Sequence, residues 1–168
     1  MRLVKGNQTI ADTWRVVSVD APLPAHGDIV VTVSRWLADR SRLLDLDGRV
    51  GVTMKADDDL TAVVADLEWF ALVALDFGTS TDGRNYSIAR LLRDRYAYQG
   101  ELRATGEVRR DQLFFLKRCG FDAFLLADEH DSAQFLLGLN DFSRVYQTAA
   151  DDRVPAYRLR AGSARSTY

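Results

Sequence analysis

A chain of 168 residues with a formal net charge of −2, 47% hydrophobic and 27% charged residues, has the composition of an ordinary folded domain with room for a real core. No apolar run approaches the ~20 residues that cross a bilayer, and the opening MRLVKGNQT lacks the apolar stretch of a secretory signal. A single cysteine leaves no internal disulfide, so nothing implies an oxidising compartment and the cytoplasm is the expected one; the lack of a long apolar run means that no membrane association is expected. Mild net acidity also argues against nucleic acid as the main partner, since such domains carry a clear basic excess.

Residues 1–48 give the least regular pattern and read as an irregular N-terminal part. TWRVVSV, Thr13 to Val19, has the β-branched content of a strand. The turn-forming APLPAHGD follows, then a β-branched run from Ile29 to Val33, and Ser34 is placed to cap a helix through Trp36 and Leu37 to Leu44. One continuous edge structure is the alternative.

Residues 49–147 read as a core of β–α repeats. RVGVTM predicts a short buried strand. Asp57 and Asp58 then supply a cap and first-turn acids for a helix, in which Leu60, Val63, Val64 and Leu67 form one buried stripe. WFALVALDF, Trp69 to Phe77, is the near-continuous apolar run of a parallel strand covered on both faces. The polar loop GTSTDGR leads to a helix from about Asn85 to Tyr96, with Ile88, Leu91, Leu92 and Tyr96 inward and Arg90, Arg93 and Asp94 outward. ELRAT predicts a strand. Gly106 opens the next loop, and a helix over 109–119 ends at Gly120 in the C′ position. FDAFLLA is another strand. A further helix begins between Asp128 and Asp131 and runs to about Leu139, SRVYQ is the last strand, and 148–168 form a C-terminal tail. The expected strand centres, near Val52, Val73, Arg103, Phe124 and Val145, fall at intervals that β–α units require. The expected fold is therefore a single α/β domain of repeated β–α units forming a parallel sheet. A partial β/α barrel and an open doubly wound sheet both fit; an eight-unit barrel, typically ~250 residues, does not.

Charge is concentrated in one stretch. From Arg84 to Arg118 there are nine Lys and Arg against four acids, Asp94, Glu101, Glu107 and Asp111. A local positive field on a mildly acidic chain suggests a small oxyanion or an acidic partner. In a parallel sheet, ligands collect at the carboxyl ends of the strands, which selects the loops after Asp76, Thr105 and Asp128.

The first loop, Gly78 to Arg84, has the strand–loop–helix setting of a phosphate loop, but Arg84 stands where that motif has lysine and Asn85 where it has a hydroxyl. Nucleotide hydrolysis is not expected. Asp82, Gly83, Arg84 and Tyr86 are left as candidates for binding a small oxyanion through helix N-terminal amides and a guanidinium, or as an ordinary capped turn. Glu101 and Arg103 share one face of their strand. They either orient an anion, form a buried ion pair, or lie on an exposed edge. Gly106 and Gln112 are further ligand candidates; Gln112 lies on the stripe of Phe115, Leu116 and Cys119. Cys119, at a helix C-terminus where the dipole disfavours a thiolate, reads as a buried apolar residue. Glu101 and His130 are the weak candidates for proton transfer. No metal-ligand spacing occurs, and no dinucleotide fingerprint or hydrolase elbow.

The strings DGRNYSIARLLRDR and GELRATGEVRRDQLFFLKRCGFDAF, and more loosely GVTMKADDD, resemble the bacterial family catalogued as domain of unknown function 934, from about Arg49 onward. Members usually read F-P-x-F-T-D-G-R-G-Y-S where this chain has FGTSTDGRNYS, so Gly78, Ser80 and Asn85 depart from the pattern. Asp82, Gly83, Arg84, Tyr86, Ser87, Arg90, Glu101, Arg103, Gly106, Asp111 and Gln112 are shared. The resemblance implies an accessory role in assimilatory sulfate reduction, with sulfite reductase as a partner. The alternative is a small enzyme acting on an anionic metabolite, with Arg84 and Arg103 as a clamp. A flavin or nicotinamide cofactor, and an oxidoreductase activity, are implied only by the label some members carry. A homodimer is expected if sheet edges are exposed.

Overall fold

The structure, a computed structural model, describes residues 2–6, 8–79, 81–126, 136–139, 144–150 and 153–163. Its eight strands are β1 (Arg2–Lys5), β2 (Gln8–Ile10), β3 (Arg15–Val16), β4 (Ile29–Thr32), β5 (Val50–Lys55), β6 (Phe70–Phe77), β7 (Glu101–Gly106) and β8 (Ala123–Leu126). The helices are α1 (Val33–Leu44), α2 (Arg84–Arg90), α3 (Leu113–Arg118) and α4 (Ala156–Ser163). The strands form one sheet in the order β2-β1-β8-β7-β6-β5-β4-β3. From β3 to β8 all neighbours are parallel, and β1 joins β8, and β2 joins β1, antiparallel.

Each parallel strand from β3 to β8 lies beside its predecessor, always one step in the same direction. A doubly wound sheet reverses direction at a switch point, so that alternative is excluded. The sheet is a curled half-barrel, and the chain itself requires the curl. The five residue steps from Ile10 to Arg15 join the two edge strands and reach at most ~18 Å. In a flat sheet of eight strands spaced ~4.8 Å, the edges would lie more than ~30 Å apart.

Register separates two faces. Val31, Val52, Val73 and Leu102 align across four strands, all fully buried. They share one core with Trp36 of α1, Ala89 of α2, and Leu113 and Leu116 of α3, so these helices cover the outer, convex face. The alternate positions turn inward. Thr32, Thr53, Ala74, Arg103 and Ala123 make one row, and Lys55, Asp76 and Thr105 make the row nearer the strand C-termini.

Several local expectations are corrected. The N-terminal part, read as irregular, supplies four strands and α1, while the strand expected over Thr13 to Val19 shrinks to Arg15–Val16. The helix expected after Asp57 is instead two tight three-residue-per-turn segments, Leu60–Ala62 and Val64–Trp69, broken where Val63 leaves helical geometry. Asp59, not Asp57 or Asp58, caps the first, its carboxylate accepting from the Thr61 amide at 2.9 Å. The stripe survives in part: Val63 and Leu67 are buried. The β–α repeat is thus only partial, with helices in the β4–β5, β6–β7 and β7–β8 connections.

The helix from Asn85 widens into a π-type turn over Leu91–Arg95. That extra residue rotates Leu91 outward, to 41% exposure. Arg93, expected outside, turns back to donate to the carbonyls of Gly120 (3.0 Å), Tyr98 (2.5 Å) and Gly100 (3.0 Å). Phe115 is exposed, and the buried stripe of α3 is Leu113, Leu116 and Cys119. Gly120 does end α3 with φ +105°. Arg144–Gln147 form bends rather than the expected last strand. The helix expected to begin at Asp128–Asp131 falls mostly outside the described residues; 136–138 are helical. Among the described residues, no helix is long and apolar enough to cross a membrane.

Candidate functional site

The inner face of the half-barrel forms a cleft of about 360 Å³, within the range that holds small organic ligands. Val16, Val30, Leu72, Ala74 and Leu125 give it an apolar floor and wall. Thr53, Asp76, Arg103, Thr105 and Gly106 supply polar groups toward the strand C-termini, and Asp12 and Trp14 come from the segment that links the edges.

Arg103 is the hub. It sits on a middle strand with 3% of its surface exposed, so the edge-strand reading is excluded and the buried ion pair holds. Its Nε donates to Glu101 Oε1 at 2.8 Å, and its Nη1 donates to Asp12 Oδ2 at 2.9 Å. Glu101 in turn accepts from Lys5 Nζ at 2.8 Å. Burial acts to raise the Glu101 pKa, but the Lys5 hydrogen bond and the Arg103 charge outweigh it and hold the carboxyl below its ordinary value. Asp12 Oδ1 also accepts from the Trp14 amide at 3.2 Å. The Trp14 ring lies 5.1 Å from the Arg49 guanidinium, which Asp28 holds at 2.5 Å. Residues 11–14 are therefore a strap across the half-barrel, fastened at its middle and near its end.

Arg84 lies in a different cleft, of about 200 Å³, with Lys55, Ala56, Asp57, Asp76, Gly78 and Asp82. Its guanidinium pairs with Asp82 at 2.6 Å and with Asp57. These hydrogen bonds lower the Asp82 pKa to about 2 and raise that of Arg84. Asp82 also accepts from the Arg84 amide at 3.1 Å, so Asp82 holds Arg84 through backbone and side chain, while Gly83, not Asp82 or Asn85, stands at the N-cap of α2 without a side-chain cap. The structure does not bring Arg84 and Arg103 into one pocket; among the described residues, Asp76 alone borders both clefts.

The remaining candidates divide between rim and scaffold. Gly106 lines the inner cleft with φ +82°, and a Cβ there would meet Asp76 Oδ1 and the Phe77 carbonyl, each at 2.4 Å. Gly83 is exposed at the start of α2. Tyr86 packs edge-on against Phe77 with centroids 5.4 Å apart, and burial raises its pKa. Gln112 accepts from the Arg109 amide at 3.1 Å, a helix-start contact rather than a place in the cleft. His130 lies outside the described residues.

Asn85, one of the departures from the usual family string, is buried and donates to the Asp76 carbonyl at 2.9 Å, tying the loop to the end of β6.

Two contributors escaped the sequence reading, and a third was named there only as the start of a strand-end loop. Asp12 and Lys5 carry no local signal, because their partners lie 91 and 96 residues away. Asp76 had one: it is the single polar residue within WFALVALDF, at the carboxyl end of a parallel strand and two residues beyond inward-facing Ala74. Among the described residues, no group of three or more His, Cys, Asp and Glu is placed to hold a metal ion.

Fold and site together define an α/β half-barrel protein with a strapped inner cleft built around a buried ion-pair network. Residues 51–157 match the family described as "Bacterial protein of unknown function (DUF934)", and the chain belongs to it. Comparison with curated proteins gives no match.

Proposed function

We propose that this chain is an accessory protein of assimilatory sulfate and sulfite reduction, acting in the cytoplasm by docking on an acidic partner. Sulfite reductase is the partner that the family resemblance implies. One structural observation carries the docking part: three cations of the 84–118 segment are exposed on the outside of the sheet. Arg95, Arg109 and Arg110 are exposed on or beside the helical turns outside the sheet, Arg109 paired with Glu107 at 2.8 Å, whereas Arg103 faces inward and is held by Glu101 and Asp12. An outward cationic surface steers an acidic protein better than it concentrates a small anion inside the barrel.

The test is growth of a deletion strain on sulfate as sole sulfur source, against growth on cysteine. The reading expects a defect on sulfate alone, restored by the wild-type chain and not by Arg95→Glu combined with Arg109→Glu, and co-purification of the wild-type chain with the reductase. Normal growth on sulfate sinks it.

A second reading, a small enzyme acting on an anionic metabolite at the strand ends, draws support from Asp76, a carboxylate on the border of both clefts. In that reading the anion takes the place of Asp12 on Arg103. Glu101 is a poor proton carrier there, being held by Lys5 and Arg103 together.

A further inference from the structure

Among the described residues, the inner cleft contains an underused guanidinium donor, on Arg103, and a carboxylate without a hydrogen bond, on Asp76. Arg103 Nη2 is buried without an aligned hydrogen-bond acceptor, although it lies 2.7 Å from the Glu101 oxygen that Nε already uses. Buried N–H groups in folded proteins almost always find an acceptor. Asp76 stands on the adjacent strand, one row nearer the strand C-termini, half-buried, and its carboxylate has no partner among the described residues.

Charge then decides what fits between them. Lys5 and Arg103 are balanced by Glu101 and Asp12. In the neighbouring cleft, Arg84 pairs with Asp57 and Asp82, and Lys55 stands opposite Asp76 across the β5–β6 pair. Over the two adjoining clefts the cations Lys5, Arg103, Lys55 and Arg84 meet the carboxylates Glu101, Asp12, Asp57, Asp82 and Asp76, so the surplus is one negative charge despite the arginine at the centre. An anion entering the inner cleft meets Asp76 and reaches Arg103 fully only by displacing Asp12. A neutral or cationic molecule leaves every existing pair intact.

We propose that the inner cleft binds a small, largely apolar organic molecule, neutral or singly cationic, with an N–H donor on Asp76 and a carbonyl-type acceptor on Arg103 Nη2. The apolar body lies on Leu72 and Ala74 beneath Trp14, all of which line the cleft. This assignment does not depend on the sulfite-reduction reading: a molecule of this class is neither sulfite nor sulfate.

Three probes of one shape and different charge test it: benzamidine, benzamide and benzoate, titrated to ~10 mM into the full-length protein and followed by amide and indole NMR shifts. Benzamide, which carries both the N–H donor and the carbonyl acceptor, is expected to move the signals of Trp14, Ala74, Asp76 and Thr105; benzamidine, which has N–H donors only, tests the Asp76 contact alone, and benzoate is expected to bind at least about tenfold more weakly than either, a gap of ~1.4 kcal/mol. Asp76→Asn, isosteric and breaking no side-chain hydrogen bond or ion pair among the described residues, is expected to erase the advantage of benzamidine over benzoate. The proposal is overturned if benzoate binds at these residues as tightly as benzamide, if Asp76→Asn leaves the charge preference unchanged, or if no probe moves these signals.

Discussion

Arg103 and Asp12, 91 residues apart, form a 2.9 Å ion pair that fastens the strap between the two edge strands onto a middle strand of the sheet. The pair closes the half-barrel across its inner face, and most of its energy comes from what its absence would leave behind. A buried guanidinium that loses a carboxylate keeps its desolvation cost and loses the compensation.

Asp12→Ala is therefore expected to cost about 1–3 kcal/mol, since Glu101 still holds Arg103, and to release Trp14 from the cleft. Arg103→Met should be destabilising as well, because it strands Asp12 and half of the Glu101 contacts. The double variant is expected to lose less than the sum of the singles. Urea denaturation of all four proteins gives the coupling energy, and strict additivity would mean that the strap is held by something else.

Acid should loosen the same network. Glu101 has a lowered folded-state pKa, so its contribution is fully present above the ordinary glutamate value of 4.5 and is lost as pH falls through the lower folded value. Asp28, held by Arg49, and Asp66, held by Arg40 and Trp36, have lowered values and act in the same direction. Asp122 acts oppositely: burial raises its pKa despite Arg93, so its contribution is present below 3.8 and is lost as pH rises through the folded value. Stability should rise with pH across the acidic range, and Glu101→Gln should flatten that rise. Melting temperatures at several acidic pH values measure both slopes.

Gly106→Ala is expected to be among the costlier single-methyl changes. The left-handed backbone at φ +82° penalises any Cβ by ~1–2 kcal/mol, and the new carbon would also collide with the Phe77 carbonyl. A loss above ~2 kcal/mol in denaturant, with shifted signals for Asp76, is the expected result. An unchanged midpoint would show that the β7 end relaxes freely.

Arg93 should not be replaceable by lysine. Its planar fork spans three backbone carbonyls and Asp122, the last at 2.8 Å, and a single ammonium cannot match that geometry. Arg93→Lys is expected to lose nearly as much stability as Arg93→Ala, about 2 kcal/mol or more. Full rescue by lysine in thermal melts would reduce the contact to simple charge.

Much of the outer layer was legible in the sequence because burial on the helix-covered face leaves a local trace. The apolar run around Val73, the alternation of Glu101, Leu102, Arg103 and Ala104, and Gly120 ending α3 all follow from short-range periodicity and backbone freedom. The same patterns misplaced Leu91 and Arg93, because the π-type turn shifts the helical phase and its stabilising partners, Gly100 and Gly120, come from other elements.

By itself, then, the sequence determined the α/β class, the strand cores from β5 to β8, and the placing of Glu101 and Arg103 on one face of their strand, since these depend on neighbours a few residues apart. Tertiary structure alone decided that the sheet winds in one direction and curls, that Lys5 and Asp12 complete the network around Arg103, and that Arg84 stands in a separate cleft. The physical reason is that electrostatic and packing partners are chosen by distance in space. No periodicity within a strand records which carboxylate, 91 residues away, the fold will bring to a buried arginine.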